Sequence, residues 1–247
     1  MILSNISRAI REQNYYAVAL EFVIVIAGVV IGFQISQIAQ TRAEERQVKE
    51  LLGLIAVEME SNLETVQAYA EATEQHIRQL VALRVALAAY SEQTDTGRLD
   101  LIMTQAVSIG DRILVLDTTA LDQLNDASMR QHIRGAPVER VIAEWRDAVS
   151  GVRGTESGLK ALANIDWSER YPALSFEAIA AAIPSPGHAE PVPPRFETDW
   201  AALSQDSDLA GRLAAMTILL EFTRESTGHL ESSTLDLSET LRTEADL

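Results

Sequence analysis

The chain contains no cysteine, which excludes disulfides, thiol catalysis and Cys-ligated zinc or iron–sulfur sites. Aromatics make up only 5% of its 247 residues, as five Phe, five Tyr and three Trp. That is thin filling for a β-sandwich or an enzyme cleft, whereas the abundant Ala, Leu, Glu and Gln suit helices. Proline is absent from residue 1 to residue 136, and six of the seven prolines lie between Pro172 and Pro194. The first half is therefore free of the commonest helix breaker. Basic residues are scarce too: 20 Lys plus Arg face 36 Asp plus Glu, a formal net charge of −16. This balance argues against nucleic acid as a partner, because phosphate recognition needs clustered Lys and Arg.

The charge that is present is unevenly spread. Residues 1–39 hold Arg8 and Arg11 against Glu12 and Glu21, so residues 40–247 carry all of the −16, with 18 basic and 34 acidic side chains. A neutral, apolar N-terminus precedes a long acidic body.

From Phe22 to Thr41, 20 consecutive residues carry no charge, and Phe22–Phe33 is almost entirely Val, Ile, Ala and Gly. At about 1.5 Å per residue this run covers the roughly 30 Å hydrocarbon core of a bilayer. With the Tyr15–Leu20 approach it is longer than the apolar region of a secretory signal, and Gln37-Ile38-Ala39 is a poor cleavage site. Tyr15–Ala39 is expected to be an uncleaved transmembrane helix, preceded by a short flank, 1–14, with Tyr15 and Tyr16 as interfacial anchors. The flanking positive charges, Arg8 and Arg11 on one side and Arg42, Arg46 and Lys49 on the other, nearly tie. A short N-terminal flank normally stays in the cytoplasm, so the expected orientation is N-terminus inside and body outside, in a bacterial inner membrane.

One face of this helix is chemically distinct. At 100° per residue, Ala17, Val25, Gly28, Gly32 and Ile35 fall within about 40° of Glu21, and Gly28-Val29-Val30-Ile31-Gly32 is a GxxxG. In lipid such a stripe lets two backbones approach closely. An ionisable group there is costly and usually faces protein or water. Self-association through Ala17, Glu21, Val25, Gly28, Gly32 and Ile35 is the expectation. The alternative is that Glu21, near the membrane boundary, simply reaches the headgroups.

The body reads as helical throughout. Val48, Leu52, Ile55, Met59, Leu63, Val66, Ala70, Thr73, Ile77, Leu80, Arg84 and Leu87 recur at three- and four-residue spacing, between a straight helix and a heptad seam. The membrane helix continues into this segment, either as one helix or as two joined near residues 40–45. Turn chemistry at Thr94-Asp95-Thr96-Gly97 ends it. Further helices are expected over 98–116, over 119–129 with Asp117 or Thr118 as cap, and from Pro137 to about Leu162. Gly151, Gly154 and Gly158 in the last of these are spaced loosely like a phosphate loop, but no strand precedes them and no Gly-Lys-Ser/Thr follows. Residues 164–203 form an irregular Pro-rich excursion, a lid or a packed loop, with a short helix over 176–183. A final heptad-like helix, about 206–242, carries Leu209, Leu213, Met216, Leu220, Thr223, Thr227, Leu230, Thr234, Leu237 and Leu241. Thr at several seam positions implies weakened packing or polar partners. The fold class is all-α: a single N-terminal transmembrane helix followed by an antiparallel bundle of about four helices, with residues 40–247 as one acidic domain.

The stretch Asn14–Ser36, with Glu21 before an aliphatic run holding Gly28 and Gly32 and ending in Gln34-Ile35, resembles the signature of an uncharacterised family of bacterial single-pass membrane proteins. Asp117–Met129 is similar to that family's central Thr-x-aromatic-x-x-Leu-x-x-Ser-Gly segment. Gln37-Ile38-Ala39 stands where the family often has Asn-Trp-Asn, and Ala120 and Leu121 replace its aromatic. The resemblance is good over 14–63 and moderate over 117–147. It implies topology and fold, and no activity.

Chemistry-bearing patterns are few. Glu221, Glu225 and His229 stack on one helix face at metal-like spacing, but on an acidic helix a solvated face is the better reading. Glu58 with Glu60, and Asp122 with Asp126, read as charged surface rather than acid/base pairs. No Gly-x-Ser-x-Gly or Ser-x-x-Lys is present. The expectation is a non-catalytic scaffold or sensor, needing no cofactor or metal, whose partners are the lipid bilayer and further copies of itself. Two other readings stay open: an oligomeric pore or proton path using Glu21, and a small-ligand-binding bundle with 184–194 as a lid over Trp167 and Trp200.

Overall fold

A computed structural model describes residues 15–107, 113–125, 127–181 and 194–245, and within these all side chains except those of residues 15–19, 21, 105–107, 127 and 128. It is all-α, without a strand among the described residues. The elements are α1 (Tyr15–Ala88), α2 (Thr96–Val107), α3 (Thr119–Gln123), α4 (Ala127–Ile133), α5 (Pro137–Ala163), α6 (Trp167–Arg170), α7 (Phe176–Ala181), α8 (Trp200–Ser204) and α9 (Ser207–Ala245). Of the two arrangements expected near residues 40–45, the single helix is observed. Chain contacts divide the molecule into two compact units, Met1–Leu51 and Leu52–Leu247.

In the first unit, local bonds carry α1 through the point where apolar sequence gives way to charge. Thr41 Oγ1 donates to the Gln37 carbonyl, Gln40 Nε2 to Glu44 Oε1, and Arg46 Nε to the Arg42 carbonyl. Each spans four residues, the spacing at which helix side chains meet the preceding turn.

The second unit is built on three long helical stretches. Gln67 on α1 donates to Glu231 on α9 at 2.8 Å, and Glu60 pairs with Arg242. As numbers rise on α1 they fall on α9, so the two run antiparallel. Trp145 on α5 donates to Thr234 on α9 at 3.0 Å, and Arg212 on α9 donates to the Leu162 carbonyl at 2.8 Å; this pair is antiparallel as well. The α5–α9 pair is the closest-packed one. At Gly158 a Cβ would lie 3.4 Å from the end of the Leu219 side chain, an ordinary van der Waals contact.

The predicted seam of α9 forms core throughout; that of α1 does so in part, with Leu63, Ala70 and Ile77 half-buried and Arg84 exposed while Leu83 is buried beside it. Ile55, Met59, Val66 and Leu80 on α1, and Leu209, Leu213, Met216, Leu220, Leu230, Leu237 and Leu241 on α9, are all buried. Each such side chain contributes about 1.5–3 kcal/mol when removed from water. The Thr positions of α9 are buried without becoming weak points. Thr223, Thr227 and Thr234 donate to the carbonyls of Leu219, Thr223 and Leu230, one turn back. The hydroxyl is satisfied within its own helix, and the methyl is left to pack.

Two expected helices end differently. The helix expected over 98–116 is described from Thr96 to Val107, residues 108–112 lie outside those described, and residues 113–118 are irregular. Here side chains from two other helices take the backbone polar groups. Glu156 Oε1 accepts from Leu114 N at 2.6 Å, while Asn62 accepts from Asp117 N at 2.9 Å and donates to its carbonyl at 2.7 Å. The helix expected over 119–129 is split into α3 and α4 by a tight turn in which Leu124 N and Asn125 N reach back three residues. Two residues beyond the end of α4, Gly135 has a φ of 77°, the left-handed conformation that glycine adopts after helix ends. Pro137 then opens α5 at its first position.

The described parts of the 164–203 excursion are packed. Trp167, Tyr171, Leu174, Ile179, Trp200 and Leu203 join the core with Leu83, Leu99, Met103 and Leu159. Its two ends are stitched together: Asp199 N donates to the Ala173 carbonyl and Ser175 Oγ to the Phe196 carbonyl. The proposed lid, 184–194, lies outside the described residues except for Pro194, as does the 1–14 flank.

Candidate association face of the N-terminal helix

From Leu20 to Ile38 the described side chains of α1 are exposed on every side. Phe22, Val29, Phe33 and Ile35 each keep more than three-fifths of their surface open, and none of the apolar window is buried. α1 is the one described helix long and apolar enough to cross a membrane. A helix apolar all round is normally buried in protein or in lipid. Among the described residues nothing covers it.

Within that window Val25 and Ile35 are exposed, and a Cβ built on Gly28 or Gly32 meets nothing within 4 Å. Among the described residues no contact requires glycine at either position. Backbone turned outward at two points one turn apart offers a second helix a close approach. The remaining members of the predicted face, Ala17 and Glu21, lie on α1, but their side chains are outside those described.

In the second unit, Glu58, which the sequence reading assigned to the surface, is buried, and Asp100 is buried as well. Glu58 is 8% exposed and Glu60 is exposed, so the two do not form one surface patch. Glu58 reaches the start of α3, where its carboxylate accepts from Ala120 N at 2.6 Å and Leu121 N at 3.3 Å. The N-cap residue Thr118 makes no capping bond with its own side chain; its hydroxyl goes to Asp122, and Asp117 binds Thr119. Glu58 caps the helix from outside. Burial raises its pKa, and the nearby Asp117 and Asp122 charges add to that effect against the lowering from the two N–H groups. Asp100 on α2 is the second such carboxylate, accepting from Thr198 Oγ1 at 2.9 Å and Trp200 Nε1 at 3.2 Å, with its pKa also raised by burial. Glu58 and Asn62 stood in plain view as polar residues inside the apolar stripe of α1, and that interruption was the available signal.

The exposed charge network at the start of α9 is of the opposite kind. Arg170 grips Asp208 with two bonds, at 2.6 and 3.0 Å, while Tyr171 Oη donates to the same carboxylate at 2.6 Å. The Arg170 and Tyr171 bonds hold the Asp208 pKa down to about 2. Glu221 pairs with Arg224 at 2.8 Å, and His229 meets Ser233, so the Glu221–Glu225–His229 face is not assembled into a ligand set. Among the described residues no three His, Cys, Asp or Glu side chains are placed to hold a metal. Asp122 is exposed, and Asp126 lies outside the described residues. Trp167 and Trp200 are core residues, their N–H groups taken by the Ala163 carbonyl and Asp100. Compared with protein-family models, curated proteins and solved structures, the chain matches none.

Proposed function

We propose that this chain is a membrane-anchored helical-bundle protein, held by α1 in a bacterial inner membrane with its N-terminus cytoplasmic. Copies associate through Ala17, Glu21, Val25, Gly28, Gly32 and Ile35, and the protein scaffolds or senses rather than catalyses. Membership of the uncharacterised single-pass family that residues 14–63 resemble belongs to the same proposal. The observation that supports it is the fully uncovered apolar stretch of α1 with Gly28 and Gly32 facing open space. Lipid satisfies the aliphatic side chains equally well all round, so what distinguishes one face is how closely another backbone can come.

The test is chemical crosslinking of the full-length protein in nanodiscs, beside a Gly28→Ile/Gly32→Ile variant. The wild type is expected to give dimers or larger species. The variant is expected to run as a monomer with an unchanged circular dichroism spectrum, because neither glycine packs against any described residue. A variant that crosslinks like the wild type rules the interface out.

A further inference from the structure

The body is acidic, and most arginines that the structure pairs have carboxylate partners: Arg78 with Glu74, Arg140 with Glu144, Arg170 with Asp208, Arg224 with Glu221 and Arg242 with Glu60. Residues 130–153 depart from this background, with five arginines against Glu139, Glu144 and Asp147. Two of the five stand over one cavity. Arg146 and Arg153 are seven residues apart on α5, two turns on the same face, with Ser150 between them. Arg146 spends one N–H on the neutral Asn125 amide oxygen, at 3.2 Å. Arg153 makes no hydrogen bond or ion pair with any described residue.

Beneath them lies a cavity of about 360 Å³ between α5, α3 and the irregular segment before α3. Leu121, Trp145 and Val149 lie at its base, nearly buried and contributing little open surface, so the exposed lining is more polar than apolar. Trp145 sends its N–H into the core to Thr234. The cavity wall it supplies is therefore ring carbon. Thr118 and Asp122 complete the rim. The Asp122 carboxylate is occupied, accepting from Thr118 Oγ1 at 2.9 Å and Asn125 Nδ2 at 3.3 Å. Two guanidinium groups outweigh it. Two cations over a largely polar volume that suits a small molecule select for a small anion.

We infer that the α3–α5 cavity binds a small organic carboxylate, its head held by Arg146 and Arg153 and its tail close to Trp145. Guanidinium suits a carboxylate because its planar fork can give two parallel hydrogen bonds. The site belongs wholly to the body, so it stands or falls independently of helix association.

The test uses full-length protein in phosphatidylcholine nanodiscs, titrated with 6-bromohexanoate, whose bromine quenches tryptophan only at short range. Quenching is expected to saturate, with half-effect on the order of 1 mM for so small a ligand. The neutral 6-bromohexanol should give only a weak linear loss. The Arg146→Gln/Arg153→Gln protein should need roughly ten times more ligand or show no saturation, at unchanged circular dichroism. Arg130→Gln, outside the cavity, should titrate as wild type, and Trp145→Phe should lose the saturable part. Saturation that survives the double Arg substitution or the Trp145 substitution, or equal quenching by acid and alcohol, overturns the assignment.

Discussion

Glu58 shows how one buried carboxylate can set a local fold. Its two bonds to Ala120 N and Leu121 N satisfy amides that the first turn of α3 leaves open. Glu58→Ala leaves a buried donor at Leu121 and a part-buried one at Ala120 unpaired, and should cost about 1–3 kcal/mol in urea denaturation. Acidity adds a sharper test. Because burial raises the folded-state pKa of Glu58, the folded protein binds the proton more tightly than the unfolded chain does. Stability attributable to Glu58 therefore falls as pH rises from the ordinary glutamate value, about 4.3, through the raised one. Asp208 acts in the opposite sense. Its pKa is depressed to about 2, so its contribution is present above the ordinary aspartate value and is lost as pH falls towards 2. Glu58→Gln keeps an acceptor oxygen but cannot titrate. Urea midpoints taken across pH 4–8 should fall less steeply for Glu58→Gln than for wild type, and parallel curves would refute the assignment.

At the scale of elements, α9 illustrates what a seam of threonines can carry. Thr223 and Thr234 are both fully buried, and both donate to a carbonyl one turn back. Only Thr234 also accepts from another helix, through Trp145 Nε1. Thr234→Val should therefore strand an indole N–H and cost about 1–3 kcal/mol, whereas Thr223→Val should change stability by less than about 1 kcal/mol. The comparison of the two unfolding midpoints separates cross-helix bonding from helix-internal bonding. The seams of α1 and α9 were legible because apolar spacing repeats over many turns, and α5 was legible from its Pro start and periodic core. The irregular 113–118 segment was not, since its own residues suit a helix well enough. It is held out of one by Glu156 and Asn62, which lie far away in sequence. The same remoteness hid the cavity under Arg146 and Arg153, which needs Thr118 and Leu121 brought beside α5. The Gly28–Gly32 face was legible as a pattern because it lies within a single helix.

For the molecule as a whole, the distribution of charge bears on how copies would meet. Residues 40–247 carry the entire −16, so two bodies brought together by their N-terminal helices repel. Screening reaches about 30 Å at 0.01 M salt and about 10 Å at 0.1 M. Packing between apolar helix faces in lipid has no such dependence. If Gly28 and Gly32 drive association, raising salt from about 0.01 to about 0.3 M should increase the crosslinked fraction, because the opposing term shrinks while the favourable one stays. If copies instead met through ion pairing between bodies, with the Arg130–Arg153 stretch against acidic surface, the same salt would lower it. A crosslinked fraction that rises with salt in the wild type and stays low in Gly28→Ile/Gly32→Ile identifies the helix as the site of attraction. A fraction that falls with salt moves the attraction to the bodies, and the proposed face with it.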